Sequence, residues 1–217
     1  LKSASLIIDW GIVMSEVVSY EVRGSIGLIQ IDNPPVNALS VNKGVLQGLL
    51  DAIKSGDHDP RVSAFLMIGG GGNFSGGADI SEFGKPKVPG MATLADLLAY
   101  MDTVTKPIVA ALSGPTMGGG FELALTCHYR LASITTIVAL PEVKLGILPG
   151  AGGTQRLPRM IGAERALDLM TTGDFVSVSQ AKSLGVVDEI IDGDLLAGAL
   201  QWVKRAVRAG LPVARVS

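Results

Sequence analysis

The chain has 217 residues and a formal net charge of −2, with 47% hydrophobic and 18% charged residues. This length fits one domain with a sizeable core, and the acidic balance argues against nucleic-acid binding, which needs a basic surface. The single cysteine, Cys127, excludes an intrachain disulfide and favours a reducing compartment, and with two histidines it leaves little for a transition-metal site.

The N-terminal segment is apolar but does not have the form of a signal peptide. Asp9 interrupts it, and no small-residue cleavage site follows. We interpret Met14 as the natural start, residues 1–13 as an upstream leader without function, and residues 14–217 as the domain. The uncharged run 107–121 is too short to span a bilayer, so we expect no membrane partner.

Strands alternate with helices along the chain, which indicates α/β layering. Apolar runs predict strands at Val17–Val22, Ile26–Ile31, Val62–Ile68, Ile108–Leu112, Tyr129–Ser133, Ile137–Leu140 and Val186–Ile191. Amphipathic periodicity predicts helices from Ser40 to about Ser55 and at Met91–Val104, Thr154–Ile161, Glu164–Met170, Ser179–Leu184 and Leu195–Ala209. The first two strands should form a hairpin, and the prolines of NPPVNALS (33–40) place that segment in a loop.

Two of the predicted strands run into glycine-rich turns that open a helix. GGGGNFSGGAD (69–79) follows one strand, and Gly118–Gly120 follows another. The first amides of a helix have no intrahelical partner, and glycine lets a ligand approach the backbone closely. Two such amides converging on one point would form an oxyanion hole. The alternative is that the glycines serve only tight packing of strand against helix.

Two glutamates accompany these turns. Glu122 lies in MGGGFELALTCHY (117–129) among apolar residues, where a charge that complements the helix dipole would be a sufficient explanation. Glu142 lies in LPEVKLGILPGAGG (140–153) before an apolar, strand-like run, and alone it is typical of a cap or a solvated residue. Together with two amide donors, the glutamates indicate acid/base chemistry on an acyl group, since an enolate needs both an oxyanion hole and a proton carrier.

Other catalytic motifs are missing from the sequence. The loop 69–79 lacks the Lys-Ser/Thr of a P-loop, and neither G-x-G-x-x-G nor G-x-S-x-G occurs. His128 follows an apolar helix and is expected to be structural, whereas His58 lies in a polar loop and is expected to be solvated.

Taken together, these segments resemble the enoyl-CoA hydratase/isomerase (crotonase) family over about residues 16–209. The segments that carry the resemblance are NFSGGADISEF, TMGGGFELAL, LPEVKLGILPGAGGTQRLPRMIG and SVSQAKSLGVVDEII. NPPVNALS and GGGFELALTCHYRLA are similar to the hydratase/isomerase part of multifunctional fatty-acid β-oxidation enzymes, in which a 3-hydroxyacyl-CoA dehydrogenase part follows.

The resemblance implies an α/β crotonase (ClpP-like) spiral of repeated ββα units and a lyase that hydrates trans-2-enoyl-CoA to 3-hydroxyacyl-CoA. It implies that the amides of Ala78 and Gly119 form the oxyanion hole, and that Glu122 and Glu142 activate water and exchange the α-proton. The implied contacts to coenzyme A are Ala38, Leu39, Ala78, Asp79, Ile80 and Gly119. Because coenzyme A is part of the acyl-CoA substrate, neither a separate cofactor nor a metal is expected.

The chain departs from the family pattern in two places. Ser81 stands where related sequences carry a lysine, which removes one expected contact to a phosphate of coenzyme A. The chain also stops at Ser217, short of the helices that usually complete the pocket or the trimer, so we interpret it as a fragment truncated at its C-terminal end.

Several alternatives remain open at this stage. The activity could be Δ3-Δ2-enoyl-CoA isomerisation, or the chain could bind acyl-CoA without catalysis, although the presence of both glutamates argues against the latter. RNA binding, which occurs in rare relatives, conflicts with the acidic balance. The family suggests a homotrimer or hexamer, or a covalently linked dehydrogenase part, with a cytoplasmic location in bacteria and a peroxisomal or mitochondrial one in eukaryotes.

Overall fold

The computed structural model describes residues 6–8, 12–14, 16–86, 88–210 and 212–213. Most of the predicted leader, residues 1–13, lies outside these ranges. The two parts of this region that are described, Leu6–Ile8 (β1) and Ile12–Met14 (β2), pair with each other, and β2 pairs in turn with the next strand.

The remaining strands are β3 (Val18–Arg23), β4 (Ile26–Ile31), β5 (Ala64–Gly69), β6 (Ile108–Leu112), β7 (Pro115–Met117), β8 (Tyr129–Ser133), β9 (Ile137–Ala139), β10 (Val176–Ser177) and β11 (Glu189–Ile191). The helices are α1 (Val45–His58), α2 (Leu94–Met101), α3 (Gly119–Thr126), α4 (Gly153–Ile161), α5 (Ala163–Thr172), α6 (Val178–Ser183) and α7 (Leu195–Arg208). Short 3₁₀ helices cover Ile80–Glu82 and Pro141–Leu145. None of the helices within the described ranges is long and apolar enough to cross a membrane.

The large sheet has the strand order β1-β2-β3-β4-β5-β6-β8-β11. The strands β1 to β4 pair antiparallel, and from β4 to β11 the pairing is parallel, so the predicted β3–β4 hairpin is confirmed. Successive residues of the parallel strands point to opposite faces, and both faces are covered. One face packs on α1, α2 and α3, and the other on α7. The continuous apolar runs in the sequence are explained by this double burial.

A small second sheet, with the order β10-β9-β7, creates the repeated units of the fold. The strands β6 and β7 with α3 form one ββα unit, whose first strand lies in the large sheet and whose second lies in the small one. The strands β8 and β9 with the helical segment after them repeat the arrangement. Because β7 ends at Met117, directly before α3, the small sheet determines where the second glycine turn lies.

Some predicted element boundaries are wrong, and local hydrogen bonds explain why. Helix α1 begins at Val45 and not at Ser40, because the Ser40 hydroxyl accepts from the Lys43 amide at 2.9 Å within a separate turn and Gly44, with φ 79°, precedes the helix. Helix α2 is shorter than predicted because Thr93 and Asp96 form a capping box at its start. The run after Glu142 is a 3₁₀ helix and not strand-like.

Arg130 joins three segments of the core and is only 3% exposed. Its guanidinium donates to the carbonyl oxygens of Cys127 at 2.6 Å and Val186 at 2.7 Å, and it lies 3.5 Å from the Asp188 carboxylate. These bonds hold the end of α3 against the segment that leads into β11.

We expect Arg130→Met to lower the free energy of unfolding by about 3 kcal/mol or more, because several buried carbonyls each lose a donor worth about 1–3 kcal/mol. Urea unfolding followed by circular dichroism would measure the loss. The matched control is Arg61→Met, which removes an exposed ion pair with Asp59 and should change stability little. Equal and small effects of the two substitutions would contradict the role assigned to Arg130.

Candidate functional site

Two isolated β-bridges bring the glycine turns together. Leu39 pairs with Ala78, and its amide donates to the Gly77 carbonyl at 2.8 Å. Ser75 pairs with Thr116, and the Met117 amide donates to the Ser75 carbonyl at 3.0 Å. The loop before α1, the turn after β5 and the turn before α3 therefore meet at one place, although they are far apart in sequence.

The two amides expected to bind an oxyanion are neighbours in this arrangement. A Cβ atom on Gly119 would lie 3.5 Å from the Ala78 nitrogen, and one on Gly77 would lie 3.4 Å from the Gly119 nitrogen. No hydrogen bond joins either the Ala78 or the Gly119 amide to another described group of the chain. Gly118, at φ 50° and ψ −128°, makes the sharp entry into α3, a conformation that side chains disfavour. Both amides are thus available to a ligand.

Glu122 is 2% exposed and is held by another part of the chain. One carboxylate oxygen, Oε1, accepts from the amides of Ala151 at 2.7 Å and Gly153 at 2.8 Å. Burial raises the pKa of Glu122, and the two amide donors and the positive charge of Arg156 offset part of that rise. Compensation of the helix dipole is therefore an incomplete account of this residue, since its carboxylate also fixes the glycine loop before α4.

Glu142 is 9% exposed, and its Oε2 atom is buried without a hydrogen-bond partner among the described residues. It lies beside the turn before α3, because a Cβ atom on Gly118 would be 3.1 Å from Glu142 Oε1. Burial raises the pKa of Glu142; its own backbone amide lowers it in part, and the charge of Glu122 raises it again. Glu142 is therefore neither a cap nor a solvated residue, and a buried polar atom of this kind needs a partner, which the described part of the chain does not supply.

The two carboxyl groups differ in what surrounds them. Glu122 has two amide donors and a nearby guanidinium, all of which favour its ionised form. Glu142 has one oxygen without a partner among the described residues; burial and the charge of Glu122 raise its pKa, and only its own backbone amide lowers it. Two acids in such unlike surroundings can take opposite parts in proton transfer, one accepting a proton and the other donating one.

An open cleft of about 430 Å³ adjoins the two amides. Its walls include three of the residues expected to contact coenzyme A, namely Leu39, Ala78 and Asp79. The other expected contacts lie next to the cleft. Ala38 precedes Leu39 in the chain and Ile80 follows Asp79, and Gly119 contacts Leu94, which is part of the cleft wall. Lining residues that sequence reasoning missed are Val41, Leu46, Glu82, Phe83, Gly84, Lys85, Thr93 and Leu94.

Ser81, where the family pattern has a lysine, makes a local contact instead. Its amide and hydroxyl donate to one Asp79 oxygen at 3.0 and 2.6 Å, and the pKa of Asp79 is lowered, mainly by the Ser81 hydroxyl and to a smaller extent by Lys43 and Lys85. Positive charge is therefore present near the cleft, although at other positions. Within the described residues, no cluster of histidine, cysteine and acidic side chains could hold a metal ion.

Comparisons with known proteins agree with this geometry. Residues 21–215 match the model of the enoyl-CoA hydratase/isomerase family. The chain is 46% identical over 197 residues to the peroxisomal bifunctional enzyme of Danio rerio, covering 90% of this chain and 27% of that protein. It is 36% identical to the peroxisomal fatty acid beta-oxidation multifunctional protein AIM1 of Arabidopsis thaliana, covering 85% of this chain and 26% of that protein. The chain thus spans about a quarter of the length of these relatives.

Solved structures show the same fold. The enoyl-CoA hydratase from Mycobacterium tuberculosis H37Rv superposes with a TM-score of 0.79 at 34% identity, over 92% of this chain and 78% of that one. The enoyl-CoA hydratase from Thermoplasma volcanium GSS1 has a TM-score of 0.79 at 29% identity, over 89% and 78%. The predicted crotonase spiral of ββα units is confirmed by these matches.

The buried charge of Glu142 predicts a stability gain on its removal. The pKa of the Glu142 carboxyl is higher in the folded protein than in the unfolded chain, where it is about 4.3. Its contribution to folding stability is therefore complete below the unfolded pKa. That contribution is lost as the pH rises through the folded pKa, because the buried group then has to ionise. Glu142→Gln cannot ionise and keeps the contribution. We therefore expect the variant to be more stable than the parent at pH 8, and the difference to shrink towards pH 4.

Thermal melts of both proteins across this pH range would check the expectation. Glu164→Gln, an exposed change on α5, is the matched control and should follow the parent at every pH. A Glu142→Gln variant whose stability relative to the parent does not change with pH would show that the Glu142 carboxyl is not buried as described.

Proposed function

The chain belongs to the enoyl-CoA hydratase/isomerase family, and we propose that it adds water across the C2=C3 bond of a trans-2-enoyl-CoA to give a 3-hydroxyacyl-CoA. The observation that carries the proposal is the meeting of two buried carboxyl groups in unlike surroundings beside two unpaired backbone amides. Burying a carboxyl group costs free energy, and a protein that only binds acyl-CoA would have no need to bury two of them.

The amides of Ala78 and Gly119 donate hydrogen bonds to the thioester carbonyl oxygen of the substrate. Negative charge grows on this oxygen as water adds to C3, because the intermediate is an enolate. Donors that are already in place stabilise that charge without reorganisation, and one such donor is worth about 10²–10³ in rate. Gly119 is the first residue of α3, whose positive N-terminal end adds to the effect.

The two carboxyl groups divide the proton transfers. Glu122, whose carboxylate is held by two amides, accepts the proton of the water whose oxygen forms the new bond to C3. Glu142, whose pKa is raised by burial and by the charge of Glu122, donates its proton to C2, and the enolate returns to a thioester. The net change is addition of one water, and the proton on Glu122 returns to Glu142 before the next turnover. Each transfer contributes about 10²–10⁴ in rate.

The cleft beside Ala78 takes the coenzyme A part of the substrate, and no separate cofactor is required. The backbone of Ala38 and Leu39 lies near the adenine, and Asp79 and Ile80 line the entrance to the cleft. Lys43 and Lys85, whose charges act on Asp79, supply the attraction for phosphate that Ser81 cannot. These assignments rest on the family resemblance together with the position of the cleft.

The cellular context follows from the relatives. Curated relatives from animals and plants are peroxisomal or glyoxysomal, and several are named as β-oxidation multifunctional proteins. We propose that this chain is the hydratase part of such a protein, that a linked 3-hydroxyacyl-CoA dehydrogenase consumes its product, and that it works in the peroxisome if its source is eukaryotic. Assembly into a trimer or hexamer remains an expectation from the family.

Because the two glutamates carry out different proton transfers, replacing each of them with glutamine should have different effects. Hydration needs both acids, whereas Δ3-Δ2 isomerisation moves one proton between C4 and C2 and needs only one. We expect Glu142→Gln to abolish both activities, and Glu122→Gln to abolish hydration by about 10² or more while sparing much of any isomerisation. The absorbance of the conjugated thioester, with 2-enoyl-CoA and 3-enoyl-CoA supplied separately, measures both. Glu164→Gln is the control, and hydration by Glu122→Gln near the parental rate would refute the two-acid mechanism.

The oxyanion hole is tested at Gly119 with a matched pair. Gly119→Pro removes the amide donor at a first helical position that tolerates proline, and we expect a rate loss of about 10²–10³. Gly119→Ala keeps the donor, and its Cβ atom meets the same neighbour, Leu94 Cδ2, at 3.0 Å. The two variants therefore differ chiefly in the amide. If both folded variants turn over crotonyl-CoA equally fast, Gly119 is not an oxyanion donor.

A further inference from the structure

Arg156 links three parts of the chain around the glycine loop before α4. It lies in α4, and its side chain is 14% exposed. One guanidinium nitrogen, Nη2, is 2.7 Å from Asp102 Oδ2 at the end of α2, and the other, Nη1, donates to the Ala151 carbonyl at 3.3 Å. The Nη1 atom also lies against Gly152, where a Cβ atom would approach it to 2.2 Å. The guanidinium thus fills the space under the 151–153 loop.

The same loop holds the Glu122 carboxylate. The amides of Ala151 and Gly153 both donate to Glu122 Oε1, and a Cβ atom on Gly153 would lie 3.0 Å from that oxygen. Gly152, between them, has φ 98°, which favours glycine. A shift of this loop would therefore move both donors away from Glu122.

We propose that Arg156, anchored by Asp102, is the positioning residue for Glu122: it braces the 151–153 loop from below and places a positive charge beside the carboxylate. The inference rests on the proposed catalytic role of Glu122. Arg156 does not itself contact the substrate, and it acts on the reaction only through the loop and the charge. This explains why an arginine is needed here, since the two nitrogens of one planar guanidinium group (the fork) can bind a carboxylate and a carbonyl oxygen at the same time.

The charges around Glu122 determine the sign of the effect. Burial raises the pKa of Glu122, and the amides of Gly153 and Ala151 together with the charge of Arg156 on α4 lower it in part. Asp102, on the α2 side, is half-exposed and neutralises part of the guanidinium charge. Cys127, at the end of α3, stays uncharged because burial raises its pKa to about 12. Removing the Arg156 charge should therefore raise the pKa of Glu122, so that less of it is ionised at a given pH.

The test compares Arg156→Gln, which loses both the charge and the fork, with Arg156→Lys, which keeps the charge only. Arg159→Gln is the matched control, because Arg159 lies in the same helix, is exposed and, within the described ranges, bonds only to Gln155. Two readouts are used: the titration of the Glu122 side chain by ¹³C NMR, and the pH profile of crotonyl-CoA hydration.

For Arg156→Gln we expect the Glu122 titration and the acid limb of kcat/KM to move to higher pH. We also expect kcat to fall by about 10²-fold, the cost of a ~1 Å displacement of a catalytic group. Arg156→Lys should lose much of the rate while its acid limb stays near that of the parent. Arg159→Gln should match the parent in both readouts. A residue with a purely structural role would lower stability without moving the titration of Glu122.

The outcomes separate this inference from the proposed function. A folded Arg156→Gln in which Glu122 titrates as in the parent would overturn the inference, whatever the activity. If Glu122 shifts but the parent does not hydrate crotonyl-CoA, the inference stands and the proposed function fails. If Arg156→Gln does not fold, Arg156→Lys decides the matter, because parental kcat in that variant would show that the fork is not needed.

Discussion

The burial of two carboxyl groups close to each other is the constraint on which the rest of the site depends. Removing Glu122 and Glu142 from water raises the pKa of both, and the charge of Glu122 raises the pKa of Glu142 further. The chain relieves this conflict unequally. Two amides donate to Glu122 and the Arg156 guanidinium lowers its pKa, whereas one oxygen of Glu142 has no partner among the described residues. The inequality is what lets neighbouring acids carry out opposite proton transfers.

The fold provides this arrangement because its repeated units end in the same place. The small sheet brings β7 next to Ser75, so the turn after β5 and the turn before α3 lie side by side. Each turn places beside the cleft one amide without a partner among the described residues. The helix α3, which follows β7, places Glu122 beside Gly153, and the 3₁₀ helix after β9 places Glu142 beside Gly118. The four groups come from successive segments of the chain, with Gly119 and Glu122 on the same helix, so their spacing depends on how these segments pack.

Much of the fold and the central residues of the site could be predicted from the sequence, because those signals are local. Continuous apolar runs mark the buried strands β5 and β6, and glycines followed by an isolated acid mark the turns. The pairing of Arg156 with Asp102 could not be predicted, because it joins residues 54 positions apart. Strand β10 is only two residues long and has no periodicity to detect. The start predicted for α1 was wrong because Ser40 caps a separate turn and is also held by the Glu82 carboxylate, a contact made by folding.

The most direct measurement of the central claim is isotope incorporation during turnover of crotonyl-CoA. The reaction is run once in H₂¹⁸O and once in D₂O, and the 3-hydroxybutyryl-CoA is analysed by mass spectrometry and NMR. If two acids add water across the double bond beside an oxyanion hole, the product of the first reaction carries ¹⁸O at C3. The product of the second carries one deuterium at C2, always added to the same face of C2. A folded protein that forms no labelled product, or that places deuterium on both faces of C2, would contradict the account.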